Sequence, residues 1–195
     1  MKRERKVSAP ARRLGGRGGF SLLELMVCML ILLLSTGVIL QTLTLATAQF
    51  QRRTRDSEAE LLCDMLAQAV QEQLTYVTQV TPAGTGPLVS FYSTAGGLDG
   101  TSCCFTLGAS ADHPMSAMGY GEIMLTYADN FGAEQSYGLI PSANYIGSDG
   151  GLLYAFLQVD CEADRFAVTL NVYDETEKIR ADRQFVVYPA LDVFQ

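Results

Sequence analysis

The stretch Gly19-Phe20-Ser21-Leu22-Leu23-Glu24-Leu25-Met26-Val27 opens an apolar run that continues to Leu40. Between Leu22 and Leu40 the chain carries one charge, Glu24, and three small interruptions, Ser35, Thr36 and Gly37. As a helix this run spans about 28 Å, close to the ~30 Å hydrocarbon core of a bilayer. It is too long for the apolar region of a cleaved secretory signal, roughly 7–15 residues. Residues 1–19 are basic and glycine-rich, with seven bases against one acid, and end in Leu14-Gly15-Gly16-Arg17-Gly18-Gly19. Only three bases, Arg52, Arg53 and Arg55, follow the run closely. That asymmetry places the amino terminus in the cytoplasm and the body outside. A carboxylate at the centre of a spanning helix costs roughly 2.5–3.5 kcal/mol, and near the helix start the macrodipole offsets part of that. Glu24 therefore has two readings: a side chain reaching for the interface, or an acid with a cationic partner in an assembly.

The same residues resemble the type IV prepilin family, with its class III signal peptide. There a basic leader ends in glycine, a prepilin peptidase cuts at the cytoplasmic face, and the new first residue, usually phenylalanine, is N-methylated. A glutamate follows four residues later, at the head of an apolar helix. The resemblance covers about residues 1–50. It implies cleavage between Gly19 and Phe20, methylation at Phe20 and a role in subunit assembly for Glu24. It also implies the partners: the prepilin peptidase, other pilin or pseudopilin subunits, an inner-membrane assembly platform and membrane lipid. The cut would leave a cationic amine at Phe20, which a neighbour's Glu24 can neutralise. Such a contact is head-to-tail, and a heterologous contact that does not close gives a helical filament. The chain lacks the helix-kinking proline that many major pilins carry in the apolar half, and only Gly37 interrupts it. This favours a minor pilin or a pseudopilin, serving a type IV pilus, a competence pseudopilus or type II secretion.

Two other signals compete. Arg12-Arg13 is a twin arginine, and Ala46-Thr47-Ala48 before Gln49 has the small-x-small form of a signal-peptidase site. Together they describe a secreted protein beginning at Gln49, but the long apolar run and Glu24 argue against it. A membrane-anchored binding or adhesion module that never polymerises is the alternative from another functional class.

Beyond the run, Gln41–Ala48 is rich in small polar residues, and no proline or glycine follows Gly37 until Pro82. Leu62, Met65, Leu66, Ala69, Val70, Gln73 and Val77 recur at three- and four-residue spacing, an apolar stripe holding one glutamine. One helix is predicted from about Phe20 to about Val80, roughly 90 Å if unbroken, ended by Thr81-Pro82-Ala83-Gly84. The domain division is a leader over 1–19, a membrane and filament-core helix over 20–48, an amphipathic continuation over 49–82 and a β-rich extracytoplasmic domain over 83–195. Within the last, short strands are expected at Leu88–Tyr92, Cys103–Leu107 and Glu122–Tyr127. Clear alternation follows in Leu153–Cys161, Phe166–Val172 and Ile179–Tyr188, linked by short polar turns. This reads as an antiparallel meander with one face covered by the helix stripe, an α+β fold.

The 195 residues leave room for one such domain, and 48% hydrophobic composition excludes bulk disorder. The formal charge of −7 hides a split, +6 over residues 1–19 and −13 over the rest. An acidic body has little with which to neutralise phosphates, so nucleic acid is not an expected partner. One histidine, His113, excludes a multi-histidine metal site. No cofactor, metal or catalytic acid–base pair is read, and the chain is not expected to be an enzyme. Asp160, Glu162 and Asp164 share a hairpin and are read as a solvated turn rather than a calcium site. Arg52, Arg53 and Arg55 with Asp56, Glu58 and Glu60 are read as a solvated helix face, with weak pairs such as Arg52–Asp56. The alternatives are pairing between subunits or contact with lipid headgroups. Cys28 lies in the membrane helix. Cys63, Cys103, Cys104 and Cys161 are either buried thiols or, if all are oxidised, two disulfides. Adjacent Cys103 and Cys104 would then bond one each to Cys63 and Cys161, because neighbours in sequence make a strained bridge.

Amino-terminal sequencing with intact mass of the membrane-fraction protein checks the amino-terminal reading. The expected chain begins at Phe20 and carries one added methyl group. A start at Gln49 identifies a secreted protein, and a start at Met1 an uncut anchor.

Overall fold

A computed structural model describes residues 21–81, 85–95, 101–108, 119–128, 131–191 and 193. The leader with Gly19, Phe20, residues 82–84 of the expected helix end, and His113 lie outside them. The fold is α+β: a long amino-terminal helix, α1 (Leu22–Thr75), followed by two antiparallel sheets. The chain divides into two units, residues 1–47 and 48–195. In the first, described from Ser21, α1 runs through Gly37 without interruption.

In the second unit, one sheet has five strands in the order β1 (Val77–Thr81), β3 (Ser90–Ser93), β4 (Ser102–Gly108), β5 (Glu122–Ala128) and β6 (Glu134–Gly138). The other has four: β2 (Gly86–Pro87), β7 (Leu153–Cys161), β8 (Phe166–Asp174) and β9 (Ile179–Val187). The last three form the expected meander: β7 and β8 pair in continuous register from Leu153 opposite Asp174 to Cys161 opposite Phe166, and β8 and β9 from Phe166 opposite Val187 to Val172 opposite Ala181, with a register shift before Tyr173. The sheets are joined by a bridge between Gly121 and Ala155, each N–H donating to the other's carbonyl at 3.1 and 2.9 Å. The five-stranded sheet, β2 and β6 go beyond the single sheet expected from sequence.

The helix ends at Thr75, short of the expected Val80. A run of β-branched residues, Thr75, Val77, Thr78, Val80 and Thr81, takes the chain into β1 instead. Val77 and Val80 are both buried, a spacing of three that imitates a helix. Its cause is a register shift between Val77 and Gln79 in the pairing with β3. An extra residue in one strand breaks the strict alternation, so both valines face inward.

Of the α1 stripe, Leu62, Leu66, Val70 and Gln73 are buried as read, Met65 and Ala69 are half-buried at its edge, and Ala59, Cys63 and Leu74 join it in the core. Ala59, Leu62, Cys63 and Leu66 pack with Ile123, Tyr145, Leu153, Ala155, Leu170 and Val172. Val70 and Leu74 pack with Phe91, Leu125, Val159, Phe166 and Val168. Both sheets thus close on one helix, and the core has a helical spine. Leu66 is fully buried. Leu66→Ala is expected to destabilise this unit by about 2–5 kcal/mol through lost transfer energy and the cavity left behind. Thermal unfolding of the detergent-solubilised full chain by circular dichroism reads the shift.

Candidate functional site

In the first unit every described residue from Ser21 to Thr47 is exposed, whatever its polarity. Leu32, Leu33 and Leu34 are 68, 73 and 65% exposed on successive helical positions, so apolar surface faces all directions. A helix apolar all round is covered by lipid or by other helices. Among the described residues α1 alone is long and apolar enough to span a bilayer. Its hydroxyls are satisfied within the helix. Ser35 Oγ donates to the Ile31 carbonyl at 2.8 Å, Thr36 Oγ1 to Leu32 at 2.5 Å and Thr42 Oγ1 to Ile39 at 2.8 Å. Thr44 Oγ1 and Thr47 Oγ1 each donate three residues back, at 2.9 Å. Such bonds make these side chains tolerable in hydrocarbon, where an unpaired hydroxyl is costly. Glu24 is exposed and stands in the first turn, beside backbone N–H groups that have no intrahelical acceptor. A Cβ added at Gly37 would meet nothing within 4 Å, so packing within the chain does not require glycine there. A small residue on such a helix lets another backbone approach.

The charge block at residues 52–60 belongs to the second unit and departs in part from the expected solvated face. Arg52, Arg53 and Glu60 are exposed as expected, whereas Arg55, Asp56 and Glu58 pair across the fold rather than along the helix. Arg55 Nη2 bonds Asp149, whose other oxygen accepts the Gly151 N–H at 2.9 Å. Glu58 Oε1 accepts the Ser148 N–H at 3.1 Å. Asp56, expected to face Arg52, instead accepts from Arg180 Nη1 at 2.9 Å. Arg180 also grips Asp174 through Nε and Nη2, both at 2.7 Å. Farther along α1, Asp64 accepts from Arg183 Nε at 2.9 Å. Arg183 occupies the β9 position opposite buried Leu170. Arg52 and Arg53 are exposed and make no ion pair among the described residues. The Ser148-Asp149-Gly150-Gly151 turn, with Gly150 at φ 80°, has a turn signature in the sequence. Nothing in the sequence names its partner some ninety residues upstream.

Asp174 is 1% exposed. Burial alone would push its carboxyl up. Hydrogen bonds from Thr176 Oγ1 at 2.5 Å, the Thr176 N–H at 2.9 Å, Arg180 and the Lys178 N–H at 3.1 Å outweigh that and hold it at about 2. Tyr145, not singled out in the sequence, is a buried pin between α1 and the sheets. Its Oη accepts the Ile123 N–H at 2.9 Å, and burial drives its hydroxyl pKa up.

All five cysteines are free thiols. Cys28 is exposed on the apolar helix, Cys63 lies in one core cluster, and Cys103 and Cys161 lie in the other. Cys103 and Cys104 point to opposite faces of β4. Burial raises the Cys63 pKa to about 11 and lifts those of Cys103, Cys104 and Cys161, so all four stay protonated and weakly nucleophilic at neutral pH. Of the acidic hairpin, Asp160 accepts from Gln158 Nε2 at 2.8 Å and Glu162 pairs with Arg165 at 2.5 Å. Comparison with protein-family models, with curated proteins and with solved structures finds no match.

The depressed Asp174 carboxyl has a defined acid signature. The unfolded chain, with a value near 3.8, protonates first as pH falls. The stabilisation, roughly 2 kcal/mol, is complete above about pH 4 and disappears as pH falls towards 2. Asp174→Asn is expected to start less stable and to lose this part of the decline, read from thermal midpoints across that range.

Proposed function

We propose that this chain is a prepilin-like structural subunit, a minor pilin or a pseudopilin. It is stored in the membrane, cut after Gly19 by a prepilin peptidase, methylated at Phe20 and assembled through its amino-terminal helix. The assembly is a type IV pilus, a competence pseudopilus or a type II secretion pseudopilus. The observation that carries the reading is the position of Glu24: an exposed acid in the first turn of a helix whose apolar surface has no cover within its own unit. An anchor needs no such acid, which costs energy in a bilayer. A subunit that meets the amino-terminal amine of a neighbour needs one there. The back-bonded hydroxyls and the open Gly37 surface suit a helix that exchanges lipid neighbours for protein ones. The α+β unit that follows agrees with the plan the resemblance implies.

In this mechanism the charge on the Phe20 amine survives N-methylation, and Glu24 of the next subunit neutralises it in a medium of low dielectric constant. The pair sets register, and the apolar helices pack as the subunit leaves the bilayer. Glu24→Leu separates assembly from anchoring. The variant is expected to insert into the membrane at wild-type level and to disappear from sheared filaments or pseudopili, both read by immunoblot of the fractions. Unchanged incorporation would refute the pairing and favour an anchored module that does not polymerise.

A further inference from the structure

The body of the chain has only seven bases after residue 19, and they are unevenly placed: Arg52, Arg53 and Arg55 stand together at the end of the apolar stretch. The fold adds a fourth. A cleft of about 270 Å³ in the second unit is lined by Ala48, Gln51, Arg52, Arg55, Asp149 and Arg180. Asp149 engages one nitrogen of Arg55, while Arg180 is fully committed to Asp56 and Asp174. Arg52 makes no ion pair among the described residues, and Arg55 keeps further N–H donors on its guanidinium fork. Arg53, also exposed, is one residue along the helix.

We propose that Arg52 and Arg55 form a binding site for the phosphate of an anionic phospholipid headgroup, with Arg53, on a different face of the helix, adding positive charge nearby. The inference rests on the reading that the apolar half of α1 crosses a membrane. Guanidinium forks match phosphate oxygens in geometry as well as charge. Depth supplies the second argument. Counting ~30 Å of hydrocarbon from Leu25, just past Glu24, puts the far edge near Leu45. Arg52 follows that edge by only seven residues, a separation short enough for a long, snorkelling side chain to serve the headgroup layer. The third argument is electrostatic. A body of formal charge −13 is repelled by an anionic surface, and three of its seven cations come first along the chain after the apolar stretch, ahead of any acid that follows Glu24.

The test uses full-length protein purified in mild detergent, in wild-type form and as Arg52→Gln/Arg53→Gln and Arg52→Lys/Arg53→Lys. The altered side chains are exposed, so folding is not at stake. Native mass spectrometry compares retention of phosphatidylglycerol and phosphatidylcholine. Wild type is expected to prefer phosphatidylglycerol. The glutamine pair should lose roughly fivefold of that preference per arginine, and the lysine pair should keep most of it. Equal retention of both lipids by wild type, or undiminished preference in the glutamine pair, overturns the site. So does a thermal shift with inorganic phosphate alone that matches the lipid's, which would mark a free-anion site. Loss of filament incorporation with lipid preference intact would assign the arginines to a protein contact instead. Carbonate extraction of membranes tests the underlying reading separately. Wild type and both variants are expected in the pellet, and a soluble wild type would refute the membrane helix whatever the lipid result.

Discussion

An apolar surface that runs all the way round a helix has to be covered by something, and among the described residues of its own unit nothing covers it. Burying a large aliphatic side chain is worth about 1.5–3 kcal/mol. Leu22, Leu25, Ile31, Leu33, Ile39 and their neighbours stand exposed, so their summed cost in water is on the order of tens of kcal/mol. The penalty for carrying Glu24 into hydrocarbon is smaller by about an order of magnitude. The helix therefore tolerates one acid easily while being unable to remain in water. That imbalance means that a single carboxylate does not decide which medium the helix favours.

The same helix carries a different chemistry from residue 48 onwards. Its apolar positions narrow to a stripe, the remaining faces become charged, and two sheets close on the stripe. Its charged faces are tied by Arg55 to the Ser148–Gly151 turn, by Asp56 to Arg180 and by Asp64 to Arg183. Exposed surface pairs are worth little individually. The Asp174–Arg180–Asp56 set differs because Asp174 is buried and fully hydrogen-bonded, so its removal would strand a partly buried arginine.

The legibility of this fold followed its periodicities. β7 and most of β8 alternate between buried and more open positions, and the limits of β7 to β9 in the sequence and in the structure nearly coincide. The helix stripe was readable for the same reason, up to the point where the bulge at Val77–Gln79 imposed a helical spacing on a strand. Glu134–Gly138 was unreadable because β6 is exposed along nearly its whole length, so its residues carry no burial pattern. Glu24 stood out in the sequence because an acid in an apolar helix is conspicuous wherever it lies, and the structure puts it in the first turn of α1. The partners of Arg55, Asp56 and Asp64 were not, because pairs separated by 94 to 124 residues depend on how the chain returns and leave no local trace.

β9 lies at the margin of the four-stranded sheet, where unpaired backbone groups invite another strand. There Arg183 takes a place in line with the core, opposite Leu170, and is held by Asp64 of the helix. An incoming strand would have to bury that guanidinium against apolar neighbours or tear it from its carboxylate. Runaway cross-β stacking is thereby discouraged at this margin.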